Sequence, residues 1–192
     1  MPRITPEAME ERRAKIIAAA RRVFAAKGLS KVTLRDVFRE AGLSAGAVYN
    51  YFQSKDDLIL AVTEAGMAEA LSAFGGGAGP AADLDAIIET FLDGLARMDP
   101  AEAPRVDLMI AAEALANPDV HRAVTGNRAA VRAALVALVE RRQAGGRWTG
   151  LPAHALADLL YATYQGLILS VALGERPDIA GVRTALISMR FD

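Results

Sequence analysis

The sequence has no cysteine, only two histidines and a single tryptophan. Without cysteine there is no disulfide, no thiolate metal site and no cysteine nucleophile. His121 and His154 stand 33 positions apart, neither with a histidine at i+3 or i+4, so metal coordination is not expected. Runs of β-branched residues are nearly absent, and alanine, which loses no side-chain entropy in a helix, is abundant. The start, Met1 to Glu7, lacks an apolar stretch of the secretory type, so a cytoplasmic protein is expected. No cofactor is expected either.

What is present is a hydrophobic content of 53 % in 192 residues, enough for a core. The net charge is −1 and uninformative, but its distribution is not. Residues 1–60 hold 11 Lys/Arg against 7 Asp/Glu, and the remainder holds 11 against 16. A basic front and an acidic back suggest one module that faces an anion and one that does not.

The spacing predicts an all-α chain of about nine helices. The first runs from about Pro6 to Lys27, capped by Thr5 and stopped by Gly28, with Ile16, Ile17, Ala20, Val23 and Phe24 on its buried face. Thr33-Leu34-Arg35-Asp36 is a capping box that opens a short helix from Leu34 to Ala41. Gly42 breaks it, Ser44 caps a further helix through Phe52, and Ser54-Lys55-Asp56-Asp57 opens a fourth. Gly75 to Pro80 reads as a flexible breaker, with no Gly-Lys-Ser/Thr to make it a phosphate cradle.

Beyond it, helices are expected around Leu84 to Leu95, Val106 to Leu115, Pro118 to the Gly145-Gly146 stop, Ala153 to Leu173, and Asp178 to Met189. The Ala153–Leu173 segment carries little polarity on any side. Asp158 and Gln165 within it argue against a membrane span. A helix apolar nearly all round must be buried on several sides, and a second copy of the chain would bury it. A homodimer is therefore expected. Trp148, between Gly146 and Gly150, reads as an anchor at a helix junction or, alternatively, as a pocket residue.

The informative stretch is Thr33 to Lys55, TLRDVFREAGLSAGAVYNYFQSK. A capped helix, a glycine turn and a second capped helix, with Val37 and Val48 placed to face each other, make a helix-turn-helix. Its second helix would lie in the major groove of DNA. The stretch resembles the tetracycline-repressor (TetR) family of regulators through Thr33, Ala41-Gly42-Leu43-Ser44, Gly46, Val48-Tyr49, Tyr51-Phe52 and Ser54-Lys55-Asp56-Asp57-Leu58. The likeness is specific over about residues 10–62, and beyond them only helix number and spacing agree. One residue departs from it: Phe38 stands four positions before the turn glycine, where the motif usually has a small side chain.

The resemblance implies that Thr33, Tyr49 and Lys55 contact phosphates. Lys55 also satisfies elementary physics, because an ammonium at a helix N-terminus is an anion site. Ala45, Gly46 and Ala47 are small enough for deep groove entry. Asn50 is the base-reading side chain, suited to adenine. Arg35, Ser44 and Tyr51 complete the expected DNA-binding set. No Lys or Arg lies between Arg39 and Lys55, so specificity would lean on Asn50, Tyr51, thymine methyl contacts and DNA shape. Arg3, Arg12, Arg13 and Lys15 are expected to reach the flanking backbone or to form a solvated basic face.

The resemblance further implies two domains, 1–53 for DNA and 54–192 for ligand binding and dimerisation. The dimer would form through the last two helices, with Ala162, Gly166, Leu169 and Leu186 at the interface. A small, largely apolar effector would sit near Phe91, Leu95, Met98, Met109, Glu113, Tyr161, Tyr164 and Gln165. Its binding would move the fourth helix and release a near-palindromic operator. Two rivals remain. Gly42-Leu43-Ser44-Ala45-Gly46 spells the nucleophile elbow of α/β-hydrolases, but that chemistry needs a strand entering the turn. A small-molecule-binding protein whose DNA module is inactive, or which activates, is the other.

Overall fold

The structure is a computed structural model, and it describes residues 5–75, 84–97 and 102–189. Among these are nine α-helices, one short 3-10 turn at Leu29–Lys31, and no strand. The helices are α1 (Pro6–Lys27), α2 (Leu34–Ala41), α3 (Ala45–Tyr49), α4 (Lys55–Gly75) and α5 (Leu84–Arg97), followed by α6 (Ala103–Glu113), α7 (Pro118–Ala144), α8 (Ala153–Ala172) and α9 (Ile179–Ser188). Of the expected glycine-rich breaker at Gly75 to Pro80, Gly75 ends α4, and the rest lies outside the described residues, as do Arg3 and Met98.

Most boundaries fall where the capping residues put them. Thr5 Oγ1 accepts from the Ala8 amide, Pro6 occupies the first turn, and Gly28 ends α1 at φ 78°. Two boundaries differ from expectation by three residues. α3 stops at Tyr49 instead of Phe52, because the amides of Tyr51 and Phe52 both return to the Val48 carbonyl and tighten the chain before Ser54. α6 begins at Ala103 instead of Val106, since Pro104 is accepted in a first helical turn where its missing N–H costs nothing.

The chain forms two compact units. The first comprises residues 1–65 and 101–124, the second 66–100 and 125–192. The division therefore falls inside α4, between α5 and α6, and inside α7, and α6 groups with the helix-turn-helix instead of with the C-terminal helices. This grouping differs from a cut between residues 53 and 54.

The first unit is built on α1. Ile16, Ala19, Ala20 and Phe24 are fully buried together with Val37, Val48, Leu58 and Ile59, and α6 and α7 add Val106, Ile110 and Val120. Met109 of α6 brings its sulfur to 3.8 Å from where a Cβ on Gly28 would stand. The second unit has its own core of Leu92, Leu95, Leu138, Val139, Leu156, Ala157, Ile168 and Leu186.

Trp148 is an anchor, 2 % exposed, at φ 60° in the turn between α7 and α8. Its indole Nε1 donates to the Met189 carbonyl at 2.8 Å, and the Arg142 guanidinium stacks 4.6 Å from its ring centroid. Arg142 in turn donates to Asp85 of α5 at 2.7 Å.

Candidate nucleic-acid interface

The motif is assembled by short-range polar contacts. At the start of α2, Thr33 Oγ1 accepts from the Asp36 amide, while the Thr33 amide and hydroxyl both donate to Asp36 Oδ2 at 3.0 and 2.9 Å. Lys27 and Arg39 also donate to the Asp36 carboxylate. The Lys27 bond first, then those from Thr33, hold the Asp36 carboxyl well below the usual carboxylate range. Gly42 then turns the chain in the left-handed region, φ 65° and ψ 33°. Glycine is favoured there because a side chain meets its own carbonyl.

Ser44 caps α3 by accepting from the Ala47 amide at 3.3 Å. A helix, α2, leads into this turn, so the nucleophile-elbow geometry is not formed and Ser44 is a cap. Val37 and Val48 are both fully buried, as the motif requires. At the start of α4 the box recurs: the Asp57 amide donates to Ser54 Oγ, and the amides of Gln53 and Ser54 donate to Asp57 Oδ2. These bonds, led by the one from Gln53, lower the Asp57 pKa.

The exposed side of the motif carries Arg35, Ser44, Ala45, Gly46, Tyr49 and Asn50, with Ala47 and Tyr51 half-buried. Gly46 is informative. A Cβ built on it meets nothing within 4 Å, and its backbone is ordinary helix, so this protein's own packing does not demand glycine there. Tyr49 is 49 % exposed, yet its ring meets Phe38 edge to face, with centroids 5.2 Å apart and planes at 73°. Phe38 has turned into the core at 7 % exposure, so the large side chain at this position fits inside the unit.

Two expected phosphate ligands have partners within the protein. Lys55 Nζ donates to the Leu29 carbonyl at 3.1 Å, which holds the ammonium at the α4 N-terminus. Thr33 is engaged with Asp36 through both its donors. Arg13 lies over the Phe52 ring and pairs with Glu10 and Glu64, whereas Arg12 and Lys15 are exposed on α1. One tie was not foreseen. Asn117 Oδ1 accepts from the Asp119 and Val120 amides, capping α7, while its Nδ2 donates to Asp56 in the first turn of α4. The Asn-Pro-Asp sequence signalled the cap, and nothing in it signalled the partner.

The remaining expected site residues are distributed between the units. Phe91 and Tyr164 meet edge to face at 5.2 Å in the second unit, where Tyr161 lies under the Arg132 guanidinium and Leu95 is buried. Gln165 is half-buried. Met109 and a half-buried Glu113 belong to the first unit. Ala155, Leu159, Ala162, Gly166 and Leu169 of α8, with Leu173 at its C-cap, are exposed at helical spacing and form one apolar stripe. A Cβ on Gly166 would meet nothing within 4 Å. Leu186 differs from the other residues expected at the interface: it is 6 % exposed and packed in the second unit's own core. α8 is also the one described helix long and apolar enough to cross a membrane, a test that a core helix passes equally well.

Residues 16–62 match the family model of bacterial regulatory proteins of the tetR family, and residues 80–188 match the C-terminal part of BetI-type transcriptional repressors. The HTH-type transcriptional repressor Rv1474c of Mycobacterium tuberculosis is 29 % identical over 178 residues, 92 % of this chain and 91 % of that protein. The uncharacterised HTH-type transcriptional regulator YfiR of Bacillus subtilis is 40 % identical over 70 residues, but that match spans only 36 % of this chain and 34 % of YfiR. Among solved structures, Salmonella enterica GusR superposes with a TM-score of 0.76 at 28 % identity, covering 96 % of this chain and 97 % of its own.

Proposed function

Because the chain belongs to the tetR family of bacterial regulatory proteins and is a DNA-binding transcriptional regulator, we propose that it represses transcription from a near-palindromic operator as a homodimer, and that a small molecule releases it. The observation that carries the DNA contact is the exposed side of α3. It offers a glycine the protein itself does not need at Gly46, flanked by alanines, and then the exposed Tyr49 and Asn50. Absence of side-chain bulk at 45–47 lets a helix enter the major groove closely, and Asn50 can pair bidentately with adenine. Arg35 and Tyr51 flank it, and Lys55 and the α4 N-terminus are suited to a phosphate.

Thr33 would reach a second phosphate only by exchanging one of its bonds to Asp36. With no charged residue on α3, phosphate contacts position the protein and Asn50, apolar contacts and DNA shape read the sequence. The apolar stripe of Ala162, Gly166 and Leu169, extended by Leu159 and Leu173, supports a second copy of the chain as its cover. A dimer of such motifs reads half-sites about 34–36 Å apart. The effector is small and largely apolar, held in the second unit near Phe91, Leu95, Tyr161, Tyr164 and Gln165. It must favour the state that does not bind DNA, typically by about 1–3 kcal/mol. A regulator of chromosomal operators works in the cytoplasm.

The test is selection of bound sequences from random duplex DNA with the purified protein at two salt concentrations. A palindrome should be enriched, with affinity falling steeply as salt rises. No enrichment at either salt from a folded dimer would overturn the proposal.

A further inference from the structure

Phe38 is the residue that departs from the motif's usual small side chain, and the structure gives it a specific neighbour. Its carbonyl accepts from the Gly42 and Leu43 amides, which fixes it to the turn between α2 and α3. Its ring is buried and forms an edge-to-face pair with Tyr49, the last residue of α3. Tyr49 is otherwise half in solvent, where a tyrosine would sample several rotamers. An aromatic edge contact narrows that choice, because the electron-rich face of one ring attracts the positive edge of the other. A small side chain at position 38 could not reach the ring.

We propose that Phe38 is a positioning residue for operator binding, holding the Tyr49 ring so that its phenol hydroxyl is set toward the DNA backbone before the complex forms. The inference rests on the reading of Tyr49 as a phosphate contact. Phe38 itself touches no DNA. Its effect is to remove in advance the rotamer freedom that Tyr49 would otherwise lose on binding. Since Phe38 is neutral and buried, it alters affinity without altering how affinity depends on salt.

The experiment is a double-mutant cycle on the full chain, using the duplex enriched by selection, with thermal unfolding measured on the same preparations. Tyr49→Phe removes the hydroxyl and should weaken binding roughly two- to ten-fold, the value of one net hydrogen bond. Phe38→Leu should unfold cooperatively and weaken binding by roughly two- to ten-fold, with an unchanged salt slope. The two losses should not multiply: the double variant should bind within about two-fold of Tyr49→Phe alone.

A double variant that loses the full product of both effects would overturn the inference, because Phe38 would then act on the motif as a whole. Wild-type affinity in Phe38→Leu beside a weakened Tyr49→Phe overturns the inference alone. Wild-type affinity in Tyr49→Phe overturns the phosphate reading of Tyr49 and the inference with it. Should Phe38→Leu fail to fold, Phe38→Met keeps an unbranched apolar side chain there and carries the same cycle.

Discussion

The DNA-binding motif of the first unit opens each of its helices with a local side-chain cap, whereas in the second unit the long helix α8 has none. In the first, the caps of α2, α3 and α4 are each made within four residues, by Thr33 with Asp36, Ser44 with Ala47, and Ser54 with Asp57. In the second, α8 starts at Pro152 with no side-chain cap. Its polar ties reach from Arg142 to Asp85 across 57 residues, from Trp148 to Met189 across 41, and from Arg183 to Asp93 across 90. Caps set the shape of a module before its core closes. Distant ion pairs do so only after the fold has brought them together. The helix starts of the motif are thus specified locally, while the joins among α5, α7, α8 and α9 rest on pairs remote in sequence.

The sharpest way to break this contrast is at Trp148. Trp148→Ala removes a buried ring, its bond to Met189 and its stack with Arg142, and should lower stability by about 3–5 kcal/mol in denaturant titration. A loss below about 1 kcal/mol would mean that the remote ties matter less than the caps. Thr33→Ala deletes one cap and should lower stability by about 1 kcal/mol, with a matching fall in hydrogen-exchange protection confined to α2. Gly46→Ala should act in the opposite direction. With open space at the Cβ position, it should raise stability by about 0.5–1 kcal/mol, while operator affinity falls because the added methyl meets the DNA. Unchanged affinity would show that α3 does not approach the groove closely.

The smallest effect is the response to acid. Asp36 and Asp57 are held below the ordinary value of 3.8 in the folded chain, so the unfolded state binds their protons first. The stability they contribute is complete above that ordinary value and is lost as pH falls through their lower folded values. Both are near the surface, which keeps the effect modest. The urea midpoint of Asp36→Asn should change less between pH 6 and pH 3 than that of the unaltered chain.

The same contrast decides what could be read from sequence. Thr5, Thr33, Ser44 and Ser54 announce four helix starts because each acts on an amide three residues away. The buried pair Val37 and Val48 followed from helical spacing around Gly42. The partners of Lys55 at Leu29 and of Asn117 at Asp56 could not be read, because no local pattern says which distant carbonyl or carboxylate a side chain will meet. Leu186 shows the limit of periodicity. An apolar position on a terminal helix fits a dimer face or the chain's own core equally well, and packing alone placed it inside. Phe38 was visible as a departure, but its contact with Tyr49 required knowing where α3 ends.

The return of α6 and the start of α7 to the first unit bears on how such regulators exchange parts. A chimera that grafts residues 1–65 onto a foreign body leaves behind Val106, Ile110, Ala114 and Val120, which here complete the core beside α1. The graft would present apolar surface where these side chains belong, unless the recipient supplies substitutes of similar shape. Exchange of the whole first unit between relatives therefore takes three crossovers instead of one, since residues 101–124 must travel with residues 1–65 for its core to stay complete.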